Sequence, residues 1–525
     1  MRYVVRTSLL VAGAIALWAV ASPAGASWVE VAKLIDSAGA ANDFLPALVA
    51  IDGNVAVATK FEYVDSSLVD HSGSAIVFVR SGGSWSQAAR LLPSDPVAHD
   101  SFGGAVAIRG DVIAVGSPTN GRAVRDGAVY VYVRPAGGWS GTLTETARLS
   151  VPVAGGGKTL LGGYIAFSND TIAAVGANFI IGAQFLHTVF MFDEPSGGWA
   201  GTVGPTATLT ASSSDGFLLR LGGSSDAIVA GSFPDTFGGL SLAGKAFVWA
   251  RPSTGWAGNI ANSAELVPTD PVQGGFFGWW TATDGDTIVV TSDANLPVPP
   301  KGYVYEKPST GWSGTLTENA QLASSNVAPG GGGYMNASIS GSRIAIGTTD
   351  INGLGGVFVF EQPSSGWSGT ISESAEIVGP PDTDFGGANG ISGTTIVAGS
   401  PDETVGSNAF QGVVHVYDLL KPFNTRIRFL VEGPIRVAPG VPVEFPVQVE
   451  AGKRAPNEPT GVGVISDGQG QECRAVLDAT GAGSCTLTFP NAGLYRVRAN
   501  YLGNSEFDDS TSPTLTVHVE QAGAR

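Results

Sequence analysis

The side chains that could do acid, base or metal chemistry are few and scattered. Five histidines, His71, His99, His187, His415 and His518, have no partner at i+2 or i+4, the spacing by which a strand or helix sets two imidazoles on one metal. The acidic pairs Asp382 with Asp384 and Asp508 with Asp509 have the groups that a glycosidase uses as acid and base, but solvated loop carboxylates are far commoner than catalytic ones. Gly138-Trp139-Ser140-Gly141 begins like a nucleophile elbow, yet it lacks the Gly-x-Ser-x-Gly form and recurs along the chain, so it reads as a scaffold turn. No catalytic residue, metal site or cofactor is assigned. Arg109-Gly110-Asp111 is the tripeptide of integrin ligands, and Trp279-Trp280 offers two adjacent aromatic faces of the kind that stack on sugars. Cys473 and Cys485, the only cysteines, are read as a disulfide rather than a metal site or a nucleophile.

Composition narrows what must position these groups. Among 525 residues, 74 are Gly and 31 Pro, a fifth of the chain, while hydrophobic residues reach 43% and charged ones only 14%. Such a chain can bury a core, and its many Val, Thr, Gly and aromatic residues favour strands and turns over helices. The net charge of −17 repels phosphate backbones and anionic lipid, which argues against nucleic-acid binding. Arg2 and Arg6, the apolar run Leu9 to Val20 and the small residues up to Ala26 have the order of a secretory signal, with cleavage expected near Ala26. No later stretch is long and apolar enough for a transmembrane helix, so a secreted or cell-surface protein is expected.

The internal repeat is the strongest signal. Trp28, Trp85, Trp139, Trp199, Trp256, Trp312 and Trp367 recur in one context every 54 to 60 residues. The full segment, such as GWSGTLTETARL from Gly138, also begins at Gly198, Gly255, Gly311 and Gly366; shortened forms begin at Ser27 and Ser84. Before most of them comes an alternating strand and a Pro-containing turn, as in VYVYVRPAGGW from Val129. Upstream lies a second hairpin, FGGAVAIRGDVIAVGSP from Phe102, with relatives from Phe276 and Phe385. Four short strands per unit, in tandem, predict propeller blades. The last unit lacks its Trp strand and the chain begins with an orphan one, Ser27 to Ile35, which would close the ring. The expectation is a seven-bladed β-propeller over 27–420, its tryptophans packed between blades.

These residues resemble the FG-GAP repeat propellers of integrin α-subunits and their bacterial relatives. Phe102-Gly103 with Gly116-Ser117-Pro118, and Phe385-Gly386 with Gly399-Ser400-Pro401, stand where that family has Phe-Gly and Gly-Ala-Pro. The resemblance implies a calcium loop between the first two strands of a blade, but Asp52-Gly53-Asn54, Arg109-Gly110-Asp111, Asn169-Asp170 and Asp284-Gly285-Asp286 are tight turns with too few oxygens for a hard cation. The register also makes Arg109-Gly110-Asp111 one of these turns rather than an adhesion motif. Trp279-Trp280 replaces the Gly104-Ala105 and Gly387-Ala388 of other blades near the axis, as a channel plug or a sugar platform. The long connections 60–73, 177–188, 232–244, 292–301 and 401–411 would form a binding face if they gather on one side.

After a linker at 421–425, seven alternating runs over 426–520 predict an immunoglobulin-like sandwich, followed by a tail at 521–525. Asn491-Ala492-Gly493-Leu494-Tyr495 has the form of a tyrosine corner, and Tyr501-Leu502-Gly503-Asn504 before Ser510 to Val519 resembles the end of bacterial immunoglobulin-like repeats. There Cys473 and Cys485 would clip neighbouring strands across the Asp478-Ala479-Thr480-Gly481 turn. The whole reads as a monomeric, non-enzymatic binding or adhesion protein whose partner is an extracellular glycan or protein. A polysaccharide hydrolase or lyase and a structural envelope component stand as alternatives.

Overall fold

The computed structural model describes residues 27–60, 73–97, 100–118, 126–152, 158–179, 186–212, 219–293, 299–324, 334–351, 354–381, 383–420, 424–452, 458–503 and 507–521. The leader, His71, His99, Asp382 and Phe217-Leu218 lie outside them. The described chain is all strand and turn, and it divides into two compact units, one over Trp28–Asp418 and one from Leu419 onward. None of its elements is a helix long and apolar enough to cross a membrane.

In the first unit the described strands form seven sheets built on one plan. In the second of them Ala105–Arg109, Val112–Ser117, Ala128–Val133 and Ala147–Leu149 pair antiparallel in that order. Valines, isoleucines and tyrosines fill the middle strands on both faces, because each sheet is covered by a neighbour on either side. One such layer packs Ala114, Val129 and Val131 against Phe167, Ile172 and Phe192 of the next sheet, with Trp199 closing its outer end. A buried Val, Ile or Phe contributes about 1.5–3 kcal/mol over an exposed one, so the layers between sheets hold the ring. Trp139, Trp256, Trp312 and Trp367 occupy corresponding layers, as expected of packing residues.

Four strands per unit is an incomplete description. In each full Trp segment the first half leaves its own sheet: Gly141–Thr144 pairs in parallel with Ser84–Leu92 of the preceding sheet, and only Ala147–Leu149 returns. Gly201–Val203, Gly258–Ala261, Gly314–Thr317 and Gly369–Ile371 make the same exchange. The two shortened Trp segments, at Ser27 and Ser84, have no such strand to donate, and the two sheets that precede them have four strands.

The closing sheet is ordered Ser27–Leu34, Val413–Leu420, Thr395–Ser400, Asn389–Ser392, so the first strand of the chain completes the last unit. Beyond it Asp36 is buried between two cations: Lys60 Nζ lies 3.3 Å and Arg90 Nη2 2.6 Å from its Oδ2. Asp43 meets the same lysine at 3.1 Å. The imidazole of His415 is held by Glu30 at Nδ1 (2.9 Å) and Glu403 at Nε2 (2.7 Å), which ties the first strand to the last unit.

The repeated glycines answer to contacts between sheets. A Cβ on Gly116, Gly231 or Gly347 would lie 1.9, 1.9 or 1.8 Å from the carbonyl oxygen of Gly162, Gly278 or Gly386 in the next unit. These three glycines are therefore matched to the glycine after the next unit's Phe or Leu and leave no room for a side chain, whereas Gly399 of the last Gly-Ser-Pro faces the Pro46 ring of the first unit.

The second unit is a sandwich. One sheet is ordered Thr425–Phe429, Pro442–Ala451, Ala482–Thr488; the other contains Ile435–Val437, Leu515–Val519, Gly493–Tyr501, Gly461–Ser466 and Glu472–Leu477. Ile427, Phe445, Val447, Ile465, Val497 and Val517 fill the space between them. Tyr495 donates its hydroxyl to the Asn491 carbonyl at 3.0 Å, the tyrosine-corner bond. Cys473 and Cys485 are bonded, with Cα atoms 5.9 Å apart, but they lie on Glu472–Leu477 and Ala482–Thr488, which belong to different sheets. The bridge thus staples one sheet to the other rather than clipping paired neighbours.

Candidate functional site

The first strands of the seven sheets line a central channel of about 730 Å³. Its two ends differ. At one end the tight turns bond to each other around the ring: Gly110 N–H donates to Asp52 Oδ2 (2.6 Å), Arg109 to Asn169 Oδ1 (3.3 Å) and Asn169 Nδ2 to the Ser225 carbonyl (2.9 Å). Lys307 pairs with Asp226, Gly341 N–H donates to Asp284 Oδ2 (2.6 Å), Gly393 N–H to Ser340 Oγ (2.9 Å) and Gly53 N–H to Ser392 Oγ (2.9 Å). The carboxylates of Asp52 and Asp284 are thereby used as caps on the neighbouring turn. Arg109-Gly110-Asp111 belongs to this ring, its arginine on Asn169, its glycine amide on Asp52 and its aspartate on Arg134 (3.2 Å).

At the other end the strands begin, and there large side chains gather on one side. Tyr164, Arg220 and Trp280 come from three consecutive sheets, while Leu48, Ala105 and Ala388 occupy the corresponding position in others. The Arg220 guanidinium carbon lies 4.2 Å from the centre of the Trp280 ring and 4.9 Å from that of Tyr164, cation–π distances. The rings come from the two sheets that flank its own, so the guanidinium is enclosed between them. Burial pushes the Arg220 pKa down from its ordinary value, opposed by the Tyr164 hydroxyl.

Backbone geometry sets this side chain apart. Strand Leu219–Gly223 carries a bulge between Leu219 and Leu221, with Arg220 the extra residue at φ 55°. The Thr281 hydroxyl holds the Arg220 carbonyl from the next sheet. A non-glycine residue in the left-handed region costs about 1 kcal/mol, and bulges are a common means of re-aiming a side chain.

The two tryptophans have different surroundings, although both lie within 6.0 Å of the Arg220 guanidinium. Trp280 lines the channel, but Trp279 packs on Phe233 at 5.0 Å and Phe276 at 6.4 Å, away from the lining. In the two sheets that follow that of Trp280, Asn336 and Asn389 are buried and bonded to each other's carbonyls at 3.3 Å. Arg220 and Tyr164 escaped the sequence reading, although the repeat register carries a signal: both stand three residues after the position of Phe102 in their units, where Ala105 stands in its own.

The other candidates disperse. Asp384, whose expected partner Asp382 lies outside the described residues, acts on Asp402, whose carboxyl is raised by burial and by the Asp384 charge; neither lines the channel. Asp293, just beyond the Thr291 that pairs with Trp280, is raised by burial. Two long connections do not form free binding loops. Residues 232–244 and 401–411 fold into similar small hairpins, bridged at Phe237 to Leu240 and Val405 to Asn408. Each clasps the start of the next unit, Leu242 accepting from Phe276 N–H and Phe410 from Phe44 N–H. The connections 60–73, 177–188 and 292–301 lie wholly or partly outside the described residues. Among the described residues no group of three acidic, histidine or cysteine side chains is arranged to hold a metal.

Residues 85–132 match the model of the FG-GAP repeat, and residues 430–520 that of the bacterial Ig-like domain (group 3). No curated protein matches the sequence. Similar solved structures include an extracellular domain from B. thetaiotaomicron, 7% identical with a TM-score of 0.37, covering 95% of this chain and 59% of that one. The β-propeller domain of the Trilobed protease from Pyrococcus furiosus is 11% identical, TM-score 0.35, over 68% of this chain and 91% of that one. The polysaccharide lyase Uly1 is 10% identical, TM-score 0.39, over 75% and 94%. The chain thus carries an FG-GAP repeat in a β-propeller and, after it, a bacterial immunoglobulin-like domain.

Proposed function

We propose that this is a secreted or cell-surface binding protein, exported through its leader with cleavage near Ala26, whose propeller recognises an extracellular glycan at the channel mouth. The observation that carries the reading is the crescent of Tyr164, Arg220 and Trp280 facing a channel of about 730 Å³. Aromatic faces beside a polar group are what a sugar ring needs, since its C–H face stacks and its hydroxyls bond. The lining carboxylates, Asp52 and Asp284, cap turns at the far end, so the mouth holds no acid pair for hydrolysis among the described residues. In this reading the protein acts as a monomer, and the immunoglobulin-like unit spaces or attaches the propeller.

The test is an array of polysaccharides and matrix proteins probed with residues 27–525, with the same material assayed for released reducing ends. Saturable binding to a saccharide without product is expected. Product release, abolished by Asp402→Asn, would instead favour a hydrolase built on Asp384 and Asp402, and binding to matrix proteins alone would move the partner to protein.

A further inference from the structure

We propose that the ligand at the mouth is an acidic saccharide, with a uronic acid seated so that its carboxylate meets the edge of the Arg220 guanidinium and its ring lies against Trp280. The proposal rests on the reading of the mouth as a glycan site and names the chemical class of the sugar.

Four observations converge on it. Arg220 is the extra residue of a bulge and stands at φ 55°; the first strand Tyr334–Ser340 also shifts register near its start, but without a residue at positive φ. Local strain of this kind persists where the surrounding structure holds it, and it clusters at binding sites. Its guanidinium lies 4.2 Å from the Trp280 ring centre and 4.9 Å from that of Tyr164, with Trp279 at 6.0 Å. Rings from both flanking sheets cover its faces, so the N–H edge is left for a ligand, and that edge matches a planar carboxylate in two parallel bonds.

Among the described residues no carboxylate pairs with this charge. Most other buried or half-buried cations among the described residues of the propeller have carboxylates, as Lys60 has Asp36 and Asp43, Arg90 has Asp36, and Arg80 has Asp418 at 2.6 Å; Arg148, over the Tyr130 ring at 5.9 Å, is an exception, but it does not line the channel. Around Arg220 burial and Tyr164 are the groups that shift its titration, and no carboxylate is among them. A cation held out of water without an anion is stabilised by one that arrives. The net charge of −17 opposes dense polyanions, which favours a ligand presenting one carboxylate at the mouth over a uniformly sulfated or phosphorylated chain.

The experiment titrates residues 27–525 with tetrasaccharides of galacturonate, mannuronate and glucuronate, each beside its carboxyl-reduced neutral counterpart. At least one acidic member should bind about tenfold or more tightly than its reduced counterpart. Arg220→Gln should bring the acidic sugar's affinity to that of the reduced one, and Arg220→Lys, which keeps the charge without the fork, should fall between. Circular dichroism and melting report whether each variant is folded; if Arg220→Gln unfolds, Arg220→Lys and the wild-type comparison decide. Equal affinity for acidic and reduced sugars in the wild type would overturn the proposal and leave the glycan reading intact. An unchanged acid preference in Arg220→Gln would also overturn it. Silence toward every sugar, acidic and neutral, would overturn both.

Discussion

At the scale of single residues, Trp280 and the glycine pairs make opposite kinds of prediction. Trp280→Ala should weaken saccharide binding by about tenfold or more, as loss of a central aromatic anchor does, and leave the melting temperature nearly unchanged because the ring is half-exposed. Titration and calorimetry on the same variant separate the two effects. Gly347→Ala should do the reverse. Its Cβ would lie 1.8 Å from the Gly386 carbonyl oxygen, so two sheets must separate, a cost of about 1–3 kcal/mol visible in urea unfolding. The family's glycines were legible in sequence as a recurring pattern, but their reason was not, since the contact is between units. Trp280 was legible as an oddity in its register. Arg220 was not, because a bulge and a left-handed φ leave no mark on one arginine among 28 basic residues.

At the scale of elements, strand exchange and closure decide stability. The alternation of the Trp segments gave away strands but not their partners, because Gly141–Thr144 and Ala147–Leu149 read as one continuous run until pairing divides them between two sheets. The shortened segments at Ser27 and Ser84 were the clue, and they coincide with the two four-stranded sheets. Closure depends on Asp36. Burial raises its carboxyl, but the Ala38 amide, Lys60 and Arg90 together hold it below the ordinary value of 3.8. A depressed folded pKa means that its contribution is fully present above the unfolded value, about 3.9, and is lost as pH falls through the folded one. Melting temperature should therefore be insensitive to this group above about pH 5 and drop below about pH 4. Asp36→Asn should melt lower at neutral pH, by about 3 kcal/mol of stability for a buried pair left with one partner, and lose part of that acid dependence. In the second unit, replacing Cys473 and Cys485 by serine should cost about 3 kcal/mol, the loop-closure entropy of a short bridge, measured by denaturation with and without reductant.

At the scale of the whole molecule, the division of labour follows from which end of the channel holds which groups. One end is sealed to itself by turn-to-turn bonds that use Arg109, Asp52 and Asp284 structurally, so the tripeptide there is engaged in the ring. The other end leaves a cation and two rings facing the channel. Repeat length, strand alternation and the orphan first strand made the propeller readable from sequence; the site was only half readable, since it arises where three units present unlike side chains at one register position. The most direct measurement is a titration, followed by tryptophan fluorescence, of residues 27–525 and of Trp280→Ala with the saccharide that binds best on the array. A saturable change in the wild type that Trp280→Ala weakens by about tenfold or more is the predicted result. Undiminished binding by a folded Trp280→Ala variant would place the ligand elsewhere and contradict a recognition site at the channel mouth.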